Sequence, residues 1–214
     1  VRRIYGVRSG YAGLVPGGPA PIDLDPAAVR DIHNEGGTML GTSRGPQDPG
    51  EIAAELARLD VRVLFCIGGD GTLRGAHAID VELRRRGQPC AVVGVPKTID
   101  NDIPHCARSF GFHTAVEEAR RAIAAAHVEA RASPGGVGLV RLMGRHAGFI
   151  AATATLAQPD VNACLVPEVD FELEGRHGLL AFLERRLDER EHAVVVVAEG
   201  AGQKYLTNEG TDPS

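Results

Sequence analysis

Four short loops, each following an apolar run, hold most of the residues whose types and spacing could do chemistry. The first is Ile67-Gly68-Gly69-Asp70-Gly71-Thr72. Glycines let a backbone approach an anion closely, and a helix starting behind them aims free N–H groups at it. An aspartate in such a loop repels phosphate unless a cation lies between the two. Asp70 therefore reads as a ligand, direct or through water, to an Mg²⁺ riding on nucleotide phosphates. The plainer reading is a glycine turn with a helix-capping aspartate.

The second loop is Gly94-Val95-Pro96-Lys97-Thr98-Ile99-Asp100-Asn101-Asp102. Asp100 could accept the proton of an attacking sugar hydroxyl, as phosphoryl transfer requires. Lys97 could lie against the transferring phosphoryl group, and Thr98 could hydrogen-bond it. An Asx-rich turn is the bland alternative, and two such loops on successive strand ends weigh against it. The third, Met143-Gly144-Arg145-His146-Ala147-Gly148, offers close approach at Gly144 and a planar charged fork at Arg145 for a phosphate. In the fourth, Val197-Ala198-Glu199-Gly200, the carboxylate of Glu199 could bind sugar hydroxyls or stand solvated in a loop. Arg44 adds a candidate phosphate contact. Eight histidines show no zinc-like spacing, and His146, beside Arg145, reads as structural.

Elements able to position these loops are legible in the hydrophobic pattern. Nearly continuous apolar runs at 4–7, 61–67, 90–95, 137–143, 163–166 and 193–198 suit strands buried on both faces, as in a parallel sheet. Between them, Asp25-Pro26 can open a helix that ends near Gly36-Gly37, with Val29 and Ile32 on one face. Further helices are marked by Ile52, Leu56 and Leu59, by Leu73, Ala76, Ile79 and Leu83, and by Leu180, Leu183 and Leu187. An Ala-rich helix is predicted over 114–130, with Val116, Ala119, Ile123 and Ala126 inward. Alternating strands and helices imply a doubly wound α/β sheet with right-handed crossovers. Ligands of such sheets bind at the carboxyl ends of the strands, where the unusual residues fall.

With 214 residues the chain can bury one large core or two small lobes. A net charge of −5 argues against nucleic acid or an anionic membrane as partner, and no apolar run nears the roughly 20 residues of a membrane span. Cys66, Cys90, Cys106 and Cys164 show no C-x-x-C pairing, and three sit in apolar runs as buried free thiols would. Cytoplasm is the default compartment. There is no initiator methionine, and 207–214 read as a polar loop with no closing element.

Taken in order, these loops resemble the phosphofructokinase family. The string G-G-D-G-T is shared with diacylglycerol and NAD kinases. P-K-T-I-D-N-D-I (96–103), followed by S-F-G-F-H-T-A (109–115), L-M-G-R (142–145) and C-L-V-P-E (164–168), is far more specific. The resemblance runs from Tyr5-Gly6-Val7 to Gly210-Thr211-Asp212-Pro213-Ser214 and is closest to the long branch of plants, protists and some bacteria. It implies an α/β fold with doubly wound, mostly parallel, Rossmann-like sheets in two lobes with the active site between them. The expected lobes are 1–112 for nucleotide and Mg²⁺ and 113–214 for the sugar phosphate, each incomplete.

By the same resemblance, Asp70 handles Mg²⁺, while Gly69, Gly71 and Thr72 line the nucleotide phosphates with Arg44. Tyr11 is a further nucleotide-side contact. Asp100 activates the 1-hydroxyl of fructose 6-phosphate, with Lys97 and Arg145 beside it in catalysis. Thr98, Asp100, Met143, Gly144, Arg145 and Glu199 contact the sugar phosphate. The family implies a glycolytic kinase assembled as a homodimer or homotetramer.

Pyrophosphate users of the family place a second aspartate where this chain has Gly71, so ATP is the expected donor. Lys97 occurs in pyrophosphate users too, which keeps a pyrophosphate-dependent phosphotransferase as the alternative. Two parts of the family pattern have no match here: a G-G-x-x-P-G-x-N loop and the basic and His residues that grip the 6-phosphate. Gly135-Gly136 occupy the region of a further family Arg, with Arg131 the nearest basic residue. A catalytically silent partner and a lipid or NAD kinase are the competing classes. Retention of Asp70, Asp100 and Arg145 disfavours the first, and the second loop disfavours the other.

Overall fold

The central strand of the larger sheet is the last strand among the described residues. In the computed structural model, which describes residues 3–206, β5 (Gly136–Leu142), β6 (Ala163–Leu165) and β7 (His192–Ala198) form a parallel sheet in the order β5-β7-β6. Four successive β7 residues, Ala193 to Val196, are no more than 1% exposed. Helices α3 (Phe112–Ala132), α4 (Phe149–Leu156) and α5 (Leu179–Arg190) all pack on β7. The α3 stripe of Val116, Ala119 and Ile123 enters the same core as Ile150, Ala151 and Ala154 of α4. No helical stripe announces α4, because its apolar residues run all round it.

A second body holds β1 (Tyr5–Gly6) antiparallel to β2 (Ile22–Asp23), then α1 (Pro49–Arg58), β3 (Val63–Gly68), α2 (Asp70–Arg85) and β4 (Ala91–Pro96), which pairs with β3. Asp48 caps α1, its carboxylate accepting the Glu51 N–H at 2.9 Å, and Pro49 opens the first turn. Ile52 and Leu56 of α1 pack with Ile79 and Leu83 of α2 over Leu64 and Cys66 of β3. The fold is α/β, as the alternation of elements indicates. The four cysteines are free; Cys66 and Cys90 are buried, whereas Cys106 and Cys164 are half-exposed. Among the described residues no helix is long and apolar enough to cross a membrane.

Three expectations differ from the structure. The chain divides between Val95 and Pro96 rather than at 112/113. Residues 96–111 go with the body of the larger sheet because Ile99 packs on its core and because Thr98 and Asn101 bond to Ser109. No helix runs from Pro26 to Gly36; only a 3-10 turn, Ile32–Asn34, forms. The Asp25 cap does form, to the Ala28 N–H at 2.7 Å, but Ile32 is 41% exposed, and a short helix that buries nothing does not persist. Finally, β3 is buried on one face only. Leu64 and Cys66 point into the core while Val63, Phe65 and Ile67 stand exposed, Phe65 by 62%. The closing stretch, 207–214, with the Gly210–Ser214 end of the resemblance, lies outside the described residues.

Candidate active site

Beyond β3 the chain turns directly into α2. A Cβ at Gly68 would lie 2.3 Å from Thr72 Oγ1, so only glycine lets the first helical turn fold back on the strand end. Gly69 occupies the N-cap position in extended backbone, and no side chain caps the helix there. The first-turn N–H groups of a helix need an acceptor and attract anions. Asp70 opens the helix, its side chain 62% exposed and ion-paired with Arg74 at 2.8 Å. Open space surrounds the position a Gly71 side chain would take.

Tyr11 supports this turn from beneath. Its hydroxyl donates to the Thr72 carbonyl at 2.7 Å, and its ring leaves room only for glycine at position 75, where a Cβ would meet it at 2.6 Å. Burial, with the Cys66 thiol beside it, pushes the phenol well above its ordinary pKa, so the donated proton stays in place. Ser9 and Gly10 precede it with positive φ, and the Ser9 N–H donates to the Leu40 carbonyl at 2.8 Å. A Cβ at Gly10 would meet Ser43 Oγ at 3.3 Å, so the loop bearing exposed Arg44 lies against Ser9-Gly10. Arg44, Tyr11 and Thr72 thus sit along one connected path.

In the other body, Lys97 is exposed and Thr98 Oγ1 accepts the Asp100 N–H at 3.2 Å, which leaves the Thr98 hydroxyl proton to donate outward. One carboxylate oxygen of Asp100, Oδ1, is buried without a hydrogen-bond partner. Burial, and then the negative charges of Asp102 and Glu199, raise the Asp100 pKa, against a smaller lowering by His146. Three charged or chargeable neighbours therefore bear on Asp100 here. Asn101 follows in the left-handed region, φ 55°, and its Oδ1 accepts the Ser109 N–H at 2.8 Å. Ser109, 5% exposed, also donates its hydroxyl to the Thr98 carbonyl.

The third and fourth loops are laced together. The Glu199 N–H donates to the Leu142 carbonyl at 2.9 Å, and the Gly200 N–H to the Gly144 carbonyl at 3.2 Å. A Cβ on Gly200 would sit 1.8 Å from the Arg145 carbonyl oxygen, and one on Gly144, φ 127°, would sit 2.3 Å from that of Ala147. Met143 is 55% exposed, and the Glu199 carboxylate lies 3.7 Å from the Arg141 guanidinium. Gly148 begins α4 without a capping side chain of its own, and Glu168 supplies the acceptor, taking the Gly148 N–H at 2.8 Å.

Ser109, Asn101, Glu168 and Arg141 carried no role on sequence reasoning. Signals existed for two of them: Asn101 lies between two aspartates after a strand, and Glu168 ends C-L-V-P-E. Among the described residues no group of three or more His, Cys, Asp or Glu is placed to hold a metal. Asp70 alone still fits Mg²⁺, which keeps waters and substrate phosphates as ligands and takes only one or two protein carboxylates.

Residues 2–212 match the family model described as phosphofructokinase. The chain is 52% identical over 213 residues to an ATP-dependent 6-phosphofructokinase of Borreliella burgdorferi, covering 96% of this chain and 48% of that protein. It is 54% identical over 206 residues to ATP-dependent 6-phosphofructokinase 7 of Arabidopsis thaliana, covering 96% and 42% respectively. It therefore spans about half the length of the curated relatives it matches. Its structure resembles that of a pyrophosphate-dependent phosphofructokinase from Marinobacter aquaeolei, with TM-score 0.77, 27% identity, and 94% and 53% of the two chains covered. Likeness to Pichia pastoris phosphofructokinase gives TM-score 0.81 at 25% identity, over 93% of this chain and 23% of that one.

Proposed function

This chain belongs to the phosphofructokinase family, and from that premise we propose that the whole protein transfers the γ-phosphoryl group of ATP to the 1-hydroxyl of D-fructose 6-phosphate, giving fructose 1,6-bisphosphate and ADP. The observation that carries this reading is Asp100, a carboxylate held with one dry, unpartnered oxygen at the end of β4. Such an oxygen is available to take the hydroxyl proton as the sugar oxygen bonds to phosphorus and the bond to ADP breaks. Its raised pKa makes it a stronger base than a solvated aspartate.

Lys97 and Arg145 neutralise charge on the transferring group, and the Thr98 hydroxyl donates to it. Met143, Gly144, Arg145 and Glu199 hold the sugar phosphate. Gly69, Gly71 and Thr72 present the α2 N-terminus to the nucleotide phosphates, Arg44 adds a cation, and Tyr11 seats the turn. Asp70 would hold Mg²⁺, which when bound neutralises the phosphates and fixes their orientation. Cytoplasmic glycolysis and a homodimeric or homotetrameric state belong to the same proposal.

ATP is favoured as donor by the open space at Gly71 and by relatives of about half-identical sequence that are named ATP-dependent. Pyrophosphate is the second reading, favoured by Lys97 and by the Marinobacter aquaeolei neighbour. The test is fructose 1,6-bisphosphate production by the full-length protein with Mg²⁺ and either donor. Product with ATP alone upholds the reading. Product mainly with pyrophosphate retains the acceptor chemistry and replaces the donor, and no product with either overturns both.

A further inference from the structure

We infer that Ser109 is a positioning residue for the reaction proposed above: through a clasp on Thr98 and Asn101 it holds the Asp100 carboxylate in its dry, unpaired place.

Asp100 lies between two anchored neighbours. Ile99 packs on the apolar core of its body, and a Cβ at Gly111 would meet Ile99 Cγ2 at 3.0 Å. Asn101 is turned into the left-handed region and tied by its Oδ1 to the Ser109 N–H at 2.8 Å, with the Ser109 Oγ at 3.2 Å. The Ser109 hydroxyl hydrogen goes to the Thr98 carbonyl, so one side chain holds the loop on both sides of the carboxylate. Ser109 in turn is fixed to α3, its carbonyl accepting the Phe112 N–H at 3.4 Å. Among the described residues it is the one buried polar residue, and its hydroxyl is hydrogen-bonded to none of them outside this loop.

The clasp has a chemical consequence. A buried carboxylate oxygen without a donor is unfavourable, and a loose loop would rotate it into water. The groups facing it from neighbouring elements are Asp102 on its own loop, Glu199 after β7 and His146 after β5. Both carboxylates push Asp100 away, so a restraint must oppose them. With Ser109 removed, Asp100 should relax toward solvent, lose basicity and lose alignment with the acceptor hydroxyl.

The test uses full-length protein with Ser109→Ala, Ser109→Thr and Asn101→Gly, the last tolerating the positive φ while deleting the Oδ1 acceptor. Ser109→Ala should lower kcat by about 10- to 100-fold, since a misplacement near 1 Å has effects of that order. KM for fructose 6-phosphate should change far less, and the acid limb of the kcat profile should move to lower pH. Asn101→Gly should act in the same direction, and Ser109→Thr, which keeps the hydroxyl, should recover most of the rate. An unshifted acid limb with equal losses in Ala and Thr variants would reduce Ser109 to a structural residue. A readout independent of turnover separates this inference from the functional one: the Asp100 carboxyl titration followed by carbon NMR and assigned with Asp100→Asn. A lower pKa in Ser109→Ala upholds the clasp even for a protein that phosphorylates nothing, and an unchanged pKa sinks it.

Discussion

Asp70 and Asp100 follow successive strands, β3 and β4, and the chain treats them oppositely. Asp70 stands in the first turn of a helix, mostly exposed, with Arg74 one turn away as counter-charge. Asp100 stands in a clasped loop with an oxygen that no donor reaches, facing two further carboxylates. A group that binds a hydrated cation needs to stay charged and wet. A group that takes a proton gains from being partly dry and repelled, because both raise its basicity. On the proposed reading, identical side chains are suited to different chemistry by surroundings alone.

The contrast breaks most visibly at Asp100. Asp100→Asn in the full-length protein should lower kcat by about 10²- to 10⁴-fold, the usual worth of a general base, with sugar affinity little changed. Steady-state kinetics would check it, and near-normal turnover would take Asp100 out of the role. Asp70→Asn should instead raise the Mg²⁺ concentration needed for half-maximal rate, roughly tenfold or more, because a direct or water-mediated ligand is lost. A Mg²⁺ titration at saturating ATP reads this directly.

A smaller effect tests the lacing between the third and fourth loops. Gly200→Ala puts a methyl against the Arg145 carbonyl and should destabilise by roughly 1–3 kcal/mol, read from the urea midpoint. Stability against pH sharpens the comparison further. Because burial raises the Asp100 pKa, the folded state holds that proton more tightly than the unfolded chain, and the ionised form disfavours folding at pH above its folded pKa. Asp100→Asn should therefore raise Tm at pH 7, a gain that shrinks as pH falls through the raised folded pKa and is gone below about 4, the ordinary aspartate value. Smallest of all, Arg74→Ala at the exposed pair should change stability by less than about 0.5 kcal/mol.

The loop residues were legible because their chemistry is local. A glycine pair before Asp70 and an Asn between two aspartates are visible within a few letters, and strand runs place them at strand ends. Ser109 was not legible as a clasp, since its partners lie 8 and 11 residues back and a serine before a helix has many uses. Glu168 reaches 20 residues back to cap α4, a helix that itself lacks the 3.6-residue signature. The failed helix at 26–36 had caps and two apolar residues but no surface to pack on, which no local pattern reports. Strand burial misled for a related reason: Val63, Phe65 and Ile67 are as apolar as the residues of β7, yet their face is open.

The strand order β5-β7-β6 also bears on how the protein emerges from the ribosome. Both outer strands are synthesised before the strand that pairs them, and β7 lies about fifty residues beyond the end of β5. Until Ala198 has cleared the exit tunnel, β5 and β6 have no shared partner and α3 and α4 no finished sheet to cover. The body that ends at Val95 carries its own core and can close earlier. Nascent chains arrested just before residue 192 should thus hold one protease-resistant body, and those arrested well beyond 198 should hold two.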